Sequence, residues 1–251
     1  MSDRIGVRRD GRLGRITLRT GPLNVLGTDD LRQLTQAIHD LGDCTVVVLD
    51  AEGRAFCAGM DIADHVPERA HAMLCAFAGM AGALSTATPV TIAAVGAHAI
   101  GGGFELALLC DMIVVSEHAR FSLPEVKLAA LPPVACALLA KTVGEKRALD
   151  LILTGRSIEG PTAERWGIAS RCVPHEQLDV SVDELCHELL ALSDDALASC
   201  KSAARAKTIE ESMHIYEHSL LRTHDAVEGI RAFLEKRDPH WHSRRHAEVA
   251  R

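Results

Sequence analysis

Aromatic residues are scarce. Five phenylalanines, two tryptophans and one tyrosine make up 3% of the 251 residues. Any core must therefore be filled mainly by Ala, Leu, Val and Ile, within an apolar total of 47%. Long apolar runs are also missing. A membrane-crossing helix needs roughly 18 consecutive apolar residues, and the longest candidate, residues 89–109, contains four glycines and Glu105. Positive charge is not in excess: 27 Lys and Arg against 34 Asp and Glu give a net charge of -7. That removes the electrostatic case for nucleic acid or an anionic membrane as a partner. An anionic ligand would have to be held locally, by a few basic side chains and backbone N–H groups. The eight cysteines include no C-x-x-C pair and read as reduced core residues. There is no G-x-x-x-x-G-K-[ST] loop, no G-x-G-x-x-G and no H-E-x-x-H. His39, His65, His71, His98 and His118 show no ligand spacing, so no metal is expected. Residues 1–9 are charged and lack the apolar stretch of a signal peptide, so the expected location is cytoplasmic.

The length suits one large domain, or one domain with a helical appendage. Residues 5–9 and 15–19 read as a hairpin around the turn signal Asp10-Gly11. Thr28 reads as the N-cap of a helix carrying Leu31, Leu34, Ile38 and Leu41 at helical spacing. Residues 44–49, 90–95 and 112–115 are short continuous apolar runs, as strands buried on both faces should be. Residues 51–59 read as a loop and 67–85 as an alanine-rich helix. Strands alternating with helices predict an α/β domain. Beyond Pro132 strand signals fade, apart from residues 168–173. Helical patterns then cover 135–143, 145–153, 177–192, 195–206 and 209–222. Lys201 to Lys207 reads as a solvated face. Asp225-x-x-Glu228 reads as a capping box opening a last helix with Val227, Ile230 and Leu234 on one face. The tail 240–251 is polar and basic, with disorder expected.

The chemistry-bearing segment is Ile100-Gly101-Gly102-Gly103-Phe104-Glu105-Leu106. It follows a buried strand and opens a helix. Glycines permit close backbone approach, and N–H groups at such a junction suit an anion or a developing oxyanion. A tight turn with no ligand would use the same residues. Glu105 is the only charge between Val90 and Cys110. A carboxylate buried without a partner is costly or protonated, which serves a catalyst needing a raised pKa; a core carboxylate tied to a donor is the alternative. Glu125, in Pro124-Glu125-Val126-Lys127, would by itself pass for a solvated loop residue. Beside Glu105 it completes a pair able to work on one water, one removing a proton while the other supplies one. Cys57 invites a nucleophile reading, but a structural role fits it better, since no Cys/His geometry follows from the sequence.

Residues 54–62, 99–111 and 121–131 resemble, in order and spacing, the three signatures of the crotonase (enoyl-CoA hydratase/isomerase) superfamily, and residues 232–237 resemble its C-terminal helix. The resemblance implies a spiral of ββα units over residues 1–190, with a helical trimerisation region and tail over 191–251. It implies self-association as a trimer or as a hexamer, a dimer of trimers. The substrate it implies is an acyl-CoA thioester, with no separate cofactor. On that resemblance Met60 and Gly102 supply the oxyanion-hole N–H groups. Glu105 is the base activating water at C3, and Glu125 the acid protonating C2. Leu23, Ala58, Asp61, Ile62, Leu131, Phe233 and Lys236 are the implied substrate-binding positions. Two departures stand out: Pro22 occupies a position where many relatives carry a lysine near the CoA phosphates, and Ala97 replaces a common glycine. Residues 131–137, rich in glycine in hydratases, here read Leu-Pro-Pro-Val-Ala-Cys-Ala. With residues 61–74 and 224–229, that stretch is similar to cyclohexa-1,5-diene-1-carbonyl-CoA hydratases. Isomerase, acyl-CoA hydrolase and catalytically silent CoA-binding subunit are the alternatives; keeping both glutamates favours hydration.

Overall fold

The computed structural model describes residues 4–242. β1 (Ile5–Asp10) and β2 (Leu13–Leu18) form the expected hairpin, closed at Gly11 with φ +57°. A positive φ in a two-residue loop matches the twist of the flanking strands. α1 (Thr28–Asp40) starts one residue earlier than expected. Gly27 is its cap, with its N–H donating to Asp30 Oδ2 at 2.9 Å. Thr28 is inside the helix because its hydroxyl donates to Asp64 Oδ2 at 2.8 Å rather than capping.

From residue 46 a unit repeats three times. A strand enters one sheet, a short strand enters a second, and a helix returns the chain. The units are β3 (Val46–Ala51), β4 (Ala55–Cys57) and α2 (Pro67–Thr86); β5 (Val90–Val95), β6 (His98–Ile100) and α3 (Gly102–Leu109); β7 (Met112–Ser116), β8 (Arg120–Ser122) and α4 (Pro133–Val143). After α5 (Glu145–Thr154), β9 (Ser157–Glu159) adds antiparallel to β8. After α6 (Gly160–Arg165), β10 (Arg171–Val173) adds parallel to β7. The sheets thus read β1-β2-β3-β5-β7-β10 and β4-β6-β8-β9. Each turn advances both sheets by one parallel neighbour, so the chain winds as a spiral.

The central strands are buried on both faces, and side-chain alternation splits them between two cores. Val47, Leu49, Ala93, Val95, Ile113 and Val115 face the main core. Val46, Val48, Val90, Ile92, Ala94 and Val114 pack under α7 (Leu178–Leu190). Phe104 and Phe121, both fully buried with ring centres 4.9 Å apart, supply much of the aromatic filling between the second sheet and α3.

Several expectations are corrected. The stretch expected as a loop at 51–59 contains β4, and β6, β8 and β9 were likewise not anticipated. α8 (Asp194–Ala204) does not present a solvated basic face at Lys201. That side chain is 9% exposed and its Nζ lies 2.7 Å from Asp111 Oδ2, while Arg205 reaches Asp111 Oδ1 at 2.6 Å. The helix expected over 209–222 is α9 (Ile209–Ile215) followed by a π turn, Tyr216–Leu220. α10 (His224–Glu235) is capped by the Thr223 hydroxyl, which accepts from the Ala226 N–H. Asp225 instead accepts from the Ser193 hydroxyl at 2.7 Å and the His242 N–H at 2.6 Å. Cys44, Cys57, Cys110 and Cys186 are core residues, but Cys75, Cys136 and Cys200 are exposed; all eight are unpaired. Of the expected disordered tail, residues 243–251 lie outside the described residues. Among those described, no helix is long and apolar enough to cross a membrane.

Candidate functional site

The second sheet places two chain segments side by side. The first leaves β4 through Ala58 and Gly59. There Leu26 pairs with the chain, its N–H donating to Gly59 O at 3.0 Å and its carbonyl accepting from Asp61 N–H at 2.9 Å. A parallel bridge of this kind uses the groups on either side of Met60, so the Met60 N–H points the other way and has no protein acceptor among the described residues. The second segment leaves β6 into α3 through Gly101, whose φ of +57° turns strand into helix. The Gly102 N–H heads α3 and likewise has no acceptor among the described residues. The two segments touch: a Cβ on Gly102 would come within 2.6 Å of Met60 Cε.

One turn into α3, Glu105 is buried, at 3% exposure. Its Oε1 accepts from the N–H groups of Val134 (2.7 Å) and Ala135 (3.0 Å) in the first turn of α4. Pro132, the residue at the cap position, has no side chain able to do this, so Glu105 caps α4 from another helix. Burial pushes its carboxyl up to about 7; the Ala135 N–H works against this, the charge of Glu125 adds to it, and the Val134 N–H opposes it. Glu125 lies on the 3₁₀ turn Pro124–Leu128. Its Oε1 stands 2.7 Å from where a Cβ on Gly101 would be, and its Oε2 is buried without a protein partner. Burial raises its pKa as well. The pair is thus asymmetric. Two N–H donors hold the ionised form of Glu105, whereas Glu125 has its own backbone N–H and nearby His65 in favour of the charge but no hydrogen-bond partner at Oε2.

Both carboxyls line one cavity of about 690 Å³ with Met60 and Gly102. Ala58, Ile62 and Leu131 line it too. Leu23 does not; its carbonyl holds the Ala58 N–H at 2.9 Å. Asp61 is exposed and does not line it either, its carboxylate capping the turn Ile62–His65 through the Ala63 N–H. Phe233 and Lys236, at the end of α10, are exposed and away from this cavity. Of residues 131–137 only Leu131 and Pro133 reach it, so this stretch is one edge of the cavity wall rather than its whole. Much of the wall was not anticipated: Ala70, Met73, Leu74 and Phe77 of α2. Their i, i+3, i+4, i+7 spacing is visible in the sequence, but such a stripe ordinarily means core. His65 also lines the cavity and was passed over. Among the described residues no cluster of three or more His, Cys, Asp or Glu could hold a metal ion.

Comparison with known proteins agrees with this architecture. The family model described as enoyl-CoA hydratase/isomerase matches residues 8–244. A probable enoyl-CoA hydratase of Mycobacterium bovis is 36% identical over 93% of this chain and 95% of its own length. A cyclohexa-1,5-dienecarbonyl-CoA hydratase of Thauera aromatica is 31% identical over 96% of this chain and 97% of its own. Among solved structures, an enoyl-CoA hydratase subunit I of Geobacillus kaustophilus superposes with a TM-score of 0.89 at 35% identity, covering 96% of this chain and 98% of that one. An enoyl-CoA hydratase of Bacillus anthracis superposes with a TM-score of 0.89 at 26% identity, covering 96% and 100%. With matching signatures, spiral topology and a paired-carboxylate cavity, the chain belongs to the enoyl-CoA hydratase/isomerase family.

Proposed function

We propose that the protein hydrates an α,β-unsaturated acyl-CoA. The observation that carries this reading is the asymmetric pair, Glu105 and Glu125, facing one cavity beside two unpartnered N–H groups. The thioester oxygen accepts from Met60 N–H and Gly102 N–H. As the carbonyl takes on enolate character these bonds strengthen, and C3 becomes electrophilic; losing one such donor costs roughly 3 kcal/mol of transition-state stabilisation in other enzymes. Glu105, in its ionised form and held by its two donors, removes a proton from water as the oxygen bonds to C3. Glu125, in its protonated form, which burial favours, gives its proton to C2. A reaction needing one carboxyl only, such as a double-bond shift, would not require this asymmetry.

For the acyl group we favour a compact conjugated one, a cyclic dienoyl thioester in particular. The support is the Leu131-Pro132-Pro133 edge, where successive prolines stiffen the backbone, and the similarity to the Thauera hydratase. We also propose that the helical region after residue 190 associates with copies of itself as a trimer or hexamer. Ile209, Met213, Val227, Ile230, Phe233 and Leu234 are each more than half exposed on α9 and α10, an apolar face larger than a lone subunit ordinarily leaves uncovered. Phe233 and Lys236 would then meet substrate only across a subunit boundary.

Steady-state rates on crotonyl-CoA and on cyclohexa-1,5-diene-1-carbonyl-CoA, with product analysis, test both levels. Hydroxyacyl product from either substrate is expected. Isomerised or hydrolysed product alone would overturn the hydratase reading. A kcat/KM far higher for crotonyl-CoA would overturn only the cyclic-substrate reading.

A further inference from the structure

We propose that His65 relays protons between solvent and Glu125, making it a positioning residue for the acid of the pair. This rests on the paired-carboxylate reading and adds a residue that neither the signatures nor the comparisons assign. Among the described residues, His65 is, apart from Glu105 and Glu125, the only side chain lining the cavity that carries a titratable group. Unlike those two it is exposed, so one ring meets both the cavity and bulk water. It is also held in place. Its Nδ1 lies 2.9 Å from the Asp61 carbonyl. A carbonyl only accepts, so Nδ1 carries the hydrogen and Nε2 is the atom that gains and loses a proton. The turn itself is pinned at both ends, by Asp61 N–H on Leu26 O at 2.9 Å and by Asp64 on Thr28.

The need for a relay follows from Glu125. After it protonates C2 it is a carboxylate whose Oε2 is buried and unpartnered. It must recover a proton before the next turnover, and a seated acyl group separates it from bulk water. Protonated His65 gives its Nε2 proton to Glu125, directly or through one water, and is reprotonated from solvent. Glu105, protonated by the attacking water, returns that proton to solvent as product leaves. The cycle consumes one water and no net proton. His65 already acts electrostatically on Glu125, favouring its ionised form, the state from which recharging starts.

The test compares His65→Ala, His65→Asn and Glu125→Gln in hydration of crotonyl-CoA at low buffer concentration. Asparagine can still donate to the Asp61 carbonyl but cannot carry a proton. The relay predicts that Ala and Asn lose kcat alike, by roughly tenfold or more, with KM little changed, and that added imidazole restores both. It predicts no imidazole rescue of Glu125→Gln. An Asn variant with wild-type kcat would show that His65 only holds the turn, and would overturn the relay. Unchanged kcat in both His65 variants beside an inactive Glu125→Gln would overturn it too, the two glutamates then exchanging protons through the incoming water. Wild-type activity in Glu125→Gln would instead overturn the underlying reading of the pair.

Discussion

Glu105 carries two loads that one substitution can separate. It is the proposed base, and it caps α4 through the Val134 and Ala135 N–H groups. Glutamine keeps an oxygen for those donors and removes the charge. Alanine removes both. The charge has a calculable effect on stability. Folding raises the carboxyl from an ordinary 4.5 to about 7, so the native state binds this proton more tightly than the unfolded chain. Its contribution to stability is fully present below pH 4.5 and is lost as pH rises through 7, a change of about 3 kcal/mol. Glu105→Gln escapes that loss. It should match the wild type within about 1 kcal/mol at pH 5 and exceed it by about 2–3 kcal/mol at pH 8. Glu105→Ala leaves two N–H groups without an acceptor, one of them on fully buried Ala135. It should fall about 2–4 kcal/mol below the glutamine variant at either pH. Both should lose hydration by about 10²-fold or more. Urea unfolding followed by circular dichroism, at fixed subunit concentration, reads the stabilities. Loss of the conjugated-thioester absorbance reads turnover. A glutamine variant that is less stable than the wild type at pH 8, or that hydrates at the wild-type rate, would refute the reasoning.

Other perturbations probe the frame. Gly103→Ala should give little folded protein, since its Cβ would sit 2.1 Å from the Cys57 carbonyl oxygen and no flexible side chain can yield there; soluble yield and circular dichroism check this. Asp111→Ala leaves the Lys201 ammonium, on a side chain 9% exposed, with the Pro89 carbonyl but without its counter-charge, and should cost about 3 kcal/mol in the same urea assay while leaving the folded fraction active. Light scattering at micromolar concentration should report a trimer or hexamer, and Phe233→Asp should shift it toward smaller species; a wild-type monomer would reject the association proposal.

How much of this was legible beforehand depended on element length. Val46–Ala51, Val90–Val95 and Met112–Ser116 were visible because each carries four apolar residues in a row, rich in valine and isoleucine or alanine, more than a loop ordinarily carries. The four strands of the second sheet that frame the active turn were not. All four, Ala55–Cys57, His98–Ile100, Arg120–Ser122 and Ser157–Glu159, are three residues long, too short to show a period of two. The carboxylates were legible for different reasons. Glu105 stood out as a lone charge in an apolar run. Glu125 did not stand out at all, and its burial comes from packing against Gly101, a contact distant in sequence. Lys201 misled because its partner, Asp111, lies ninety residues away.

The cap on α4 also ties one edge of the cavity to the proposed base. Pro132 and Pro133 set where α4 begins, and the N–H groups that follow immediately, on Val134 and Ala135, are those that hold Glu105. Leu131 and Pro133 meanwhile form one edge of the cavity. Moving this edge to admit a longer or bulkier acyl group therefore moves the donors that lower the pKa of Glu105. On the proposed function, substrate range and base strength are coupled through one helix start. A stiff edge keeps the carboxylate supported at the cost of accommodating fewer acyl shapes. A glycine-rich edge would relax both constraints together. On this view the prolines act on the chemistry as well as on the shape of the pocket, because a helix that starts half a turn late would leave Glu105 buried with no donor, and a carboxyl in that state stays protonated and cannot take a proton from water.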